Sequence, residues 1–125
     1  MPVLTFTCPW PPRTITPNAK RRAHWSAYSG DTKSYRETCF WLARKAAGRR
    51  RIAAADIASV QIGFFPPDAR KRDDDNMTGA FKAGRDGIAS ALGHDDVAWK
   101  GKVRYHHHPP FRPYGQVIVQ IEVAA

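Results

Sequence analysis

Over Gln116–Val123 an aliphatic residue recurs at every second position, Val117, Val119, Ile121 and Val123. No other feature constrains the fold as strongly. A period of two puts these four side chains on one face of a strand, so the chain must form a sheet with a face turned to a core. Residues 3–8 alternate in the same way, with Leu4, Phe6 and Cys8 on one side, and Pro9-Trp10-Pro11-Pro12 closes that strand. Proline has no N–H to donate into a ladder. Ile57–Phe65 is a third strand, with Ala58, Val60, Ile62 and Phe64 expected on one face and Pro66-Pro67 at its end. Val97–Tyr105 is a candidate fourth strand of basic character, and HHHPPFRPYG after it reads as a turn or loop.

Two segments change to a helical period. Thr32 to about Ala47 sets Tyr35, Thr38/Cys39, Leu42 and Ala46 on one side, with Gly48 as the stop. Asn76–Leu92 carries Met77, Phe81, Gly84, Ile88 and Leu92 in one apolar stripe and ends at Gly93. Residues 13–31 have no period and read as a long loop, a kind of segment that is functional or disordered when it occurs in a compact domain. The expected architecture is α+β (mixed α/β) in the order β-α-β-α-β-β. It is a single domain over residues 1–125, with a mixed sheet of about four strands and two main helices. No repeat and no second domain are visible in the sequence.

Charge bears on function. The 125 residues hold 20 Lys+Arg against 11 Asp+Glu, a net charge of +9, which favours an anionic partner, nucleic acid first. The distribution is uneven. Arg13–Arg51 contains eleven bases and two acids, whereas Asp73–Asp96 contains six acids and two bases. The apolar runs reach about nine residues, well short of a membrane span. The opening MPVLTFTCPWPPR lacks the basic and apolar regions of a secretory signal. Cys8 and Cys39 are too few for a disulfide framework or a cysteine-based zinc site. A soluble, cytoplasmic protein is expected.

The acidic island lies in PPDARKRDDDN, residues 66–76, and in His94-Asp95-Asp96. In an extended chain Asp73 and Asp75 share a face and Asp74 points away. Two such carboxylates repel unless a cation sits between them, and oxygen ligands alone select magnesium, manganese or calcium over zinc. On a continuous helix Asp75, Lys82 and Asp86 fall within about 20° of one line, opposite the apolar stripe. Carboxylates beside a lysine suit phosphodiester cleavage, in which a metal activates water and cations take up the developing charge. A plainer reading stands level with it on spacing alone. Lys82 and Asp86 would be a surface ion pair, and DDDN a solvated helix cap.

Taken together, the motifs resemble the RusA family of Holliday-junction resolvases, bacterial and phage crossover junction endodeoxyribonucleases. Six pieces occur in order: Pro9-Trp10-Pro11-Pro12 after a strand; Pro17-Asn18 to His24-Trp25; Lys33, Tyr35 and Arg36 on a helix; Pro66 to Asn76 as PPD-x-R-x-RD-x-DN; Lys82, Asp86 and Gly87; and Asp95-Asp96. Asp74 occupies a position often held by an apolar residue, and Lys82 stands seven residues after Asp75 where some members have four.

The resemblance implies a magnesium-dependent homodimer, with manganese as a substitute, that nicks four-way DNA junctions symmetrically in recombination and repair. Asp73, Asp75 and Asp96 would be the metal ligands, with Asp95 as the alternate to Asp96, and Lys82 the catalytic cation. Arg21, Arg22, Lys33, Arg36, Arg70, Lys71 and Arg72 are the expected DNA contacts. Trp25 and Tyr28 are candidates for stacking on unpaired bases, with packing of the loop onto the body as the alternative. Arg49-Arg50-Arg51 is either a DNA contact or a favourable charge at a helix end. The triplet His106-His107-His108 is a phosphate contact or without a role. Two rival functions stand beside the nuclease: a non-catalytic DNA-binding or assembly protein on the same fold, and an RNA-binding protein.

Overall fold

The computed structural model describes residues 2–124. Four strands form one mixed sheet: β1 (Val3–Pro9), β2 (Ile57–Phe65), β3 (Val103–His107) and β4 (Gln116–Val123), in the spatial order β1-β4-β2-β3. β4 is antiparallel to both of its neighbours, and β2 and β3 are parallel. The central position of β4 accounts for its clean pattern. Val117, Val119 and Ile121 stand opposite Cys8, Phe6 and Leu4 on one side and Phe64, Ile62 and Val60 on the other. All three β4 residues are fully buried, each contributing about 1.5–3 kcal/mol of transfer free energy. The parallel β2–β3 pair requires a crossover, and that crossover contains the acidic segment.

Helices α2 (Ser29–Ala47) and α4 (Lys82–Leu92) cover one face of the sheet, and two shorter helices, α1 (Pro17–Arg21) and α3 (Asp74–Ala80), complete the set. α2 and α4 approach closely because Gly87 has no side chain. A Cβ there would overlap the backbone carbonyl oxygen of Arg36. The buried stripe of α2 is Tyr35, Cys39, Ala43 and Ala47, a step away from the expected Thr38, Leu42 and Ala46. Cys39 meets Cys8 of β1, and Thr38 is exposed with its hydroxyl donating to the Ser34 carbonyl at 3.0 Å. Tyr35 donates to the Pro9 carbonyl oxygen at 2.7 Å and so ties α2 to the end of β1.

Four further expectations change. Residues 13–31 are not a loop but a series of short helical turns, Arg13–Ile15, α1 and Trp25–Ala27, after which α2 begins at Ser29 rather than Thr32. The signal for α1 was local: Thr16 caps it, accepting from the Ala19 N–H, and Pro17 occupies the first turn. The expected helix over 76–92 is two helices broken at Phe81, whose ψ is 0°. The Phe81 ring is fully buried, edge-on to Tyr35 and Phe64, and fills the space left by Gly84. In β2 an irregularity between Ile57 and Ser59 turns Ile57 inward and leaves Ala58 exposed. Finally, Val97–Tyr105 is not all strand. Asp96–Trp99 is a turn of 3-10 helix, and β3 extends through His106 and His107.

Candidate functional site

The end of β2 and both ends of α4 bring the chemistry-bearing residues into two clefts. The first site element is Asp73. It caps α3, its Oδ1 accepting the Asp75 N–H at 3.2 Å, while Asp74 and Asp75 occupy the first turn, where the helix dipole favours negative charge. All three carboxylates are exposed. Asp74 lies 3.4 Å from His107 Nε2.

Asp96 is built differently. Gly93 ends α4 in the left-handed region at φ 97°, and the chain turns back under the helix. His94 is held at both ring nitrogens. Nε2 accepts from Trp99 Nε1 at 2.8 Å, so Nδ1 carries the proton and donates to the Ile52 carbonyl oxygen at 2.9 Å. Asp95 caps the following turn by accepting from the Val97 N–H at 2.9 Å. These constraints place Asp96 inside the protein at 4% exposure.

There its Oδ2 accepts from Lys82 Nζ at 2.7 Å and lies 3.3 Å from Arg85 Nε. Lys82 also donates to Asp86 Oδ1 at 2.8 Å. Arg85 donates through Nη1 to the Tyr105 hydroxyl at 2.8 Å. Its Nε is buried and makes no hydrogen bond among the described residues. Burial pushes the Asp96 carboxyl up. The hydrogen bond and charge of Lys82, with the charge of Arg85, outweigh that and leave it below the usual carboxylate range. Burial pulls Lys82 down, but Asp86 and Asp96 more than offset this and raise it. The cluster borders an open cleft of about 910 Å³ that also carries Arg36, Arg51 and Asp95.

The sequence expectations are met in part. Lys82, Asp86 and Asp96 come together, and of the late acidic pair it is Asp96 that joins them while Asp95 serves as a cap. Among the described residues Asp73 and Asp75 make no hydrogen bond or ion pair with any of the three. The wheel that aligned Asp75 with Lys82 assumed a continuous helix, and the break at Phe81 removes that premise. Hard oxygen donors are the right chemistry for magnesium. Among the described residues no three Asp, Glu, His or Cys side chains converge on a possible cation position, and Asp96 Oδ2 is taken by Lys82 and Arg85.

The second cleft lies across α3 and is basic. Arg22, Arg70, Lys71 and Arg72, four of the residues expected to contact DNA, line it together with Arg13. Arg36 instead borders the carboxylate cleft. Arg21 bonds Asn18 Oδ1, and Lys33 is exposed on α2. Asp68 pairs with Arg70 at 3.3 Å and Arg72 at 2.9 Å, and its pKa is lowered chiefly by the Arg70 backbone N–H. Trp25 is 67% exposed, while Tyr28 is half-buried beneath Lys20. The histidine triplet diverges: His106 bonds Gln61, His107 faces Asp74 and His108 stacks on Phe65.

Sequence reasoning missed Arg85, Tyr105 and the His94–Trp99 pair. Arg85 lies one residue from Asp86 and was read as mere charge, and no local pattern links it to Tyr105.

No protein-family profile matches the chain. Over 122 residues it is 37% identical to an uncharacterized protein of Xylella fastidiosa (strain Temecula1), an overlap that covers 94% of this chain and 74% of that protein. Among the described residues no helix is long and apolar enough to cross a membrane.

Proposed function

We propose that this chain, which belongs to one family with that Xylella protein, is a structure-selective endonuclease of branched DNA. The observation that carries the reading is the pair Lys82–Asp86 anchored on the buried Asp96 at the edge of an open cleft, on a chain that also has a basic cleft. A nuclease needs both: cations that hold the strand, and a charged group kept in place beside the scissile phosphate. Lys82 is the residue suited to the second task. Its side chain is more than half exposed yet its ammonium is held at two carboxylates, so it meets a phosphate without first losing its position. Arg85 remains beside Asp96 and keeps that carboxylate compensated if Lys82 turns toward the DNA.

The four-way junction as substrate, the symmetric dimer, the magnesium requirement and the cytoplasmic location come from the RusA resemblance. A dimer would duplicate the site for two strands related by junction symmetry. The test is incubation of a labelled mobile junction with magnesium and with EDTA, for the native chain and for Asp75→Asn. Paired nicks that require magnesium and disappear in the variant, with the junction still bound, are expected. Loss of binding together with cutting would count against the assignment.

One observation favours a second reading, a DNA-binding protein that does not cut. Asp96 already has its charge satisfied by Lys82 and Arg85, and Asp73 and Asp75 lie outside that cluster. This reading predicts a shifted and uncut junction under magnesium and manganese alike.

A further inference from the structure

The basic cleft has a feature that charge alone does not require: its floor is apolar. It encloses about 380 Å³ between the segment after β1, α1 and α3. Phe64, Met77 and Ala80 line it and are buried. Trp10 forms one wall, edge-on to Phe64, with the Arg72 guanidinium 5.6 Å from its ring centroid. The walls are tied together. The Asn18 N–H donates to Asn76 Oδ1 at 3.0 Å, and Pro17 packs against Gly79, where a Cβ would collide with it.

The charge at the rim is unspent. The single lining carboxylate, Asp68, is engaged by Arg70 and Arg72. Among the described residues the side chains of Arg13, Arg22 and Lys71 have no ion-pair or hydrogen-bond partner. A bare phosphate has no use for the apolar floor, and an uncharged apolar ligand has none for three unpaired cations. A planar base attached to a phosphate uses both. The volume lies at the small end of the range for ligand clefts, about 300–1,000 Å³. A base still paired and stacked in a duplex does not enter such a space, whereas one out of the stack does. Aromatic rings and arginine planes are the surfaces on which unpaired bases stack.

We propose that this cleft holds one unpaired nucleotide of a DNA strand, with its base against the Trp10–Arg72 wall and its phosphate among Arg13, Arg22 and Lys71. The inference rests on the nucleic-acid reading above and deepens it, and it does not require cleavage.

The test is equilibrium binding in EDTA of two labelled five-unit strands, one of thymidine nucleotides and one of abasic units with the same phosphates. Equal charge isolates the base. The native chain is expected to bind the thymidine strand about tenfold more tightly. Trp10→Ala abolishes the difference, Trp10→Phe keeps most of it, and Lys71→Ala weakens both strands alike. Equal binding of the two strands by the native chain overturns the proposal. So does a preference that survives Trp10→Ala in protein whose circular dichroism and melting match the native chain. If Trp10→Ala does not fold, the native comparison and Trp10→Phe still decide. A chain that nicks junctions but ignores the base contradicts this proposal alone, and base preference without nicking contradicts the endonuclease reading alone.

Discussion

The two clefts, one lined by α1 and α3 and the other by α2 and α4, use the same residue types in opposite ways. In the basic cleft, cations line the rim and the one carboxylate is already paired. In the carboxylate cleft, a buried acid holds two cations in place. Free cations at an open rim attract any phosphate and hold none in a fixed geometry, so they serve capture. A cation fixed between two carboxylates is weaker as a general attractor and better defined in position, which suits it to the chemistry proposed above. The contrast follows from burial. Asp96 is inside the protein and Asp68 is not, and only the buried acid requires compensation from its neighbours.

The largest effect is expected from Asp96→Ala. It leaves Lys82 and the partly buried Arg85 facing an uncharged cavity, and removal of one partner from a buried pair costs about 3 kcal/mol. Urea unfolding should show that loss, whereas Asp68→Ala should stay within about 0.5 kcal/mol because its partners are solvated. Equal losses would erase the distinction between the clefts. Next is Gly87→Ala, where the new methyl meets the Arg36 carbonyl and pushes α2 from α4, at a cost of about 1–3 kcal/mol. A thermal melt measures it.

Acid should act through the same buried carboxylate. The pKa of Asp96 is lowered in the folded chain, so its contribution to stability is full above the unfolded value of about 3.9 and is lost as pH falls through the folded value. Lys82 has the opposite sign. Its pKa is raised, so its contribution is present below about 10.4 and is lost as pH rises through the folded value. Denaturation followed from pH 2 to 5 in the native chain and in Asp96→Asn isolates the first contribution, and the variant should show the shallower dependence. The smallest effect is for Lys71→Ala on DNA. Removing one phosphate contact should lower the slope of log affinity against log salt by about one, without altering the fold.

How much of this was legible in the sequence depended on how locally each feature is determined. The strands β1, β2 and β4 could be read because a sheet with one buried face writes its period directly into the chain. The turns across residues 13–31 were missed because each is too short to show a period and is held by a cap or by distant packing, as when Ile15 is buried. The break at Phe81 was also invisible. It comes from a ring that fits between Tyr35 and Phe64, residues far away in the chain. The pairing of Lys82 with Asp86 was a local spacing and was read correctly, whereas its second partner, Asp96, was placed near it by resemblance and not by periodicity. Arg85, Tyr105 and the walls of the Trp10 cleft meet only through the tertiary fold.

The most direct test of the division between capture and chemistry is a single gel series on a labelled four-way junction with magnesium. It compares the native chain, Lys82→Ala, and the pair Arg22→Ala with Lys71→Ala. The account predicts that Lys82→Ala shifts the junction like the native chain and leaves it uncut, while the paired variant needs more protein to shift it and nicks what it does bind. Loss of shift in Lys82→Ala, or a native chain that binds the junction and never nicks it, would contradict it.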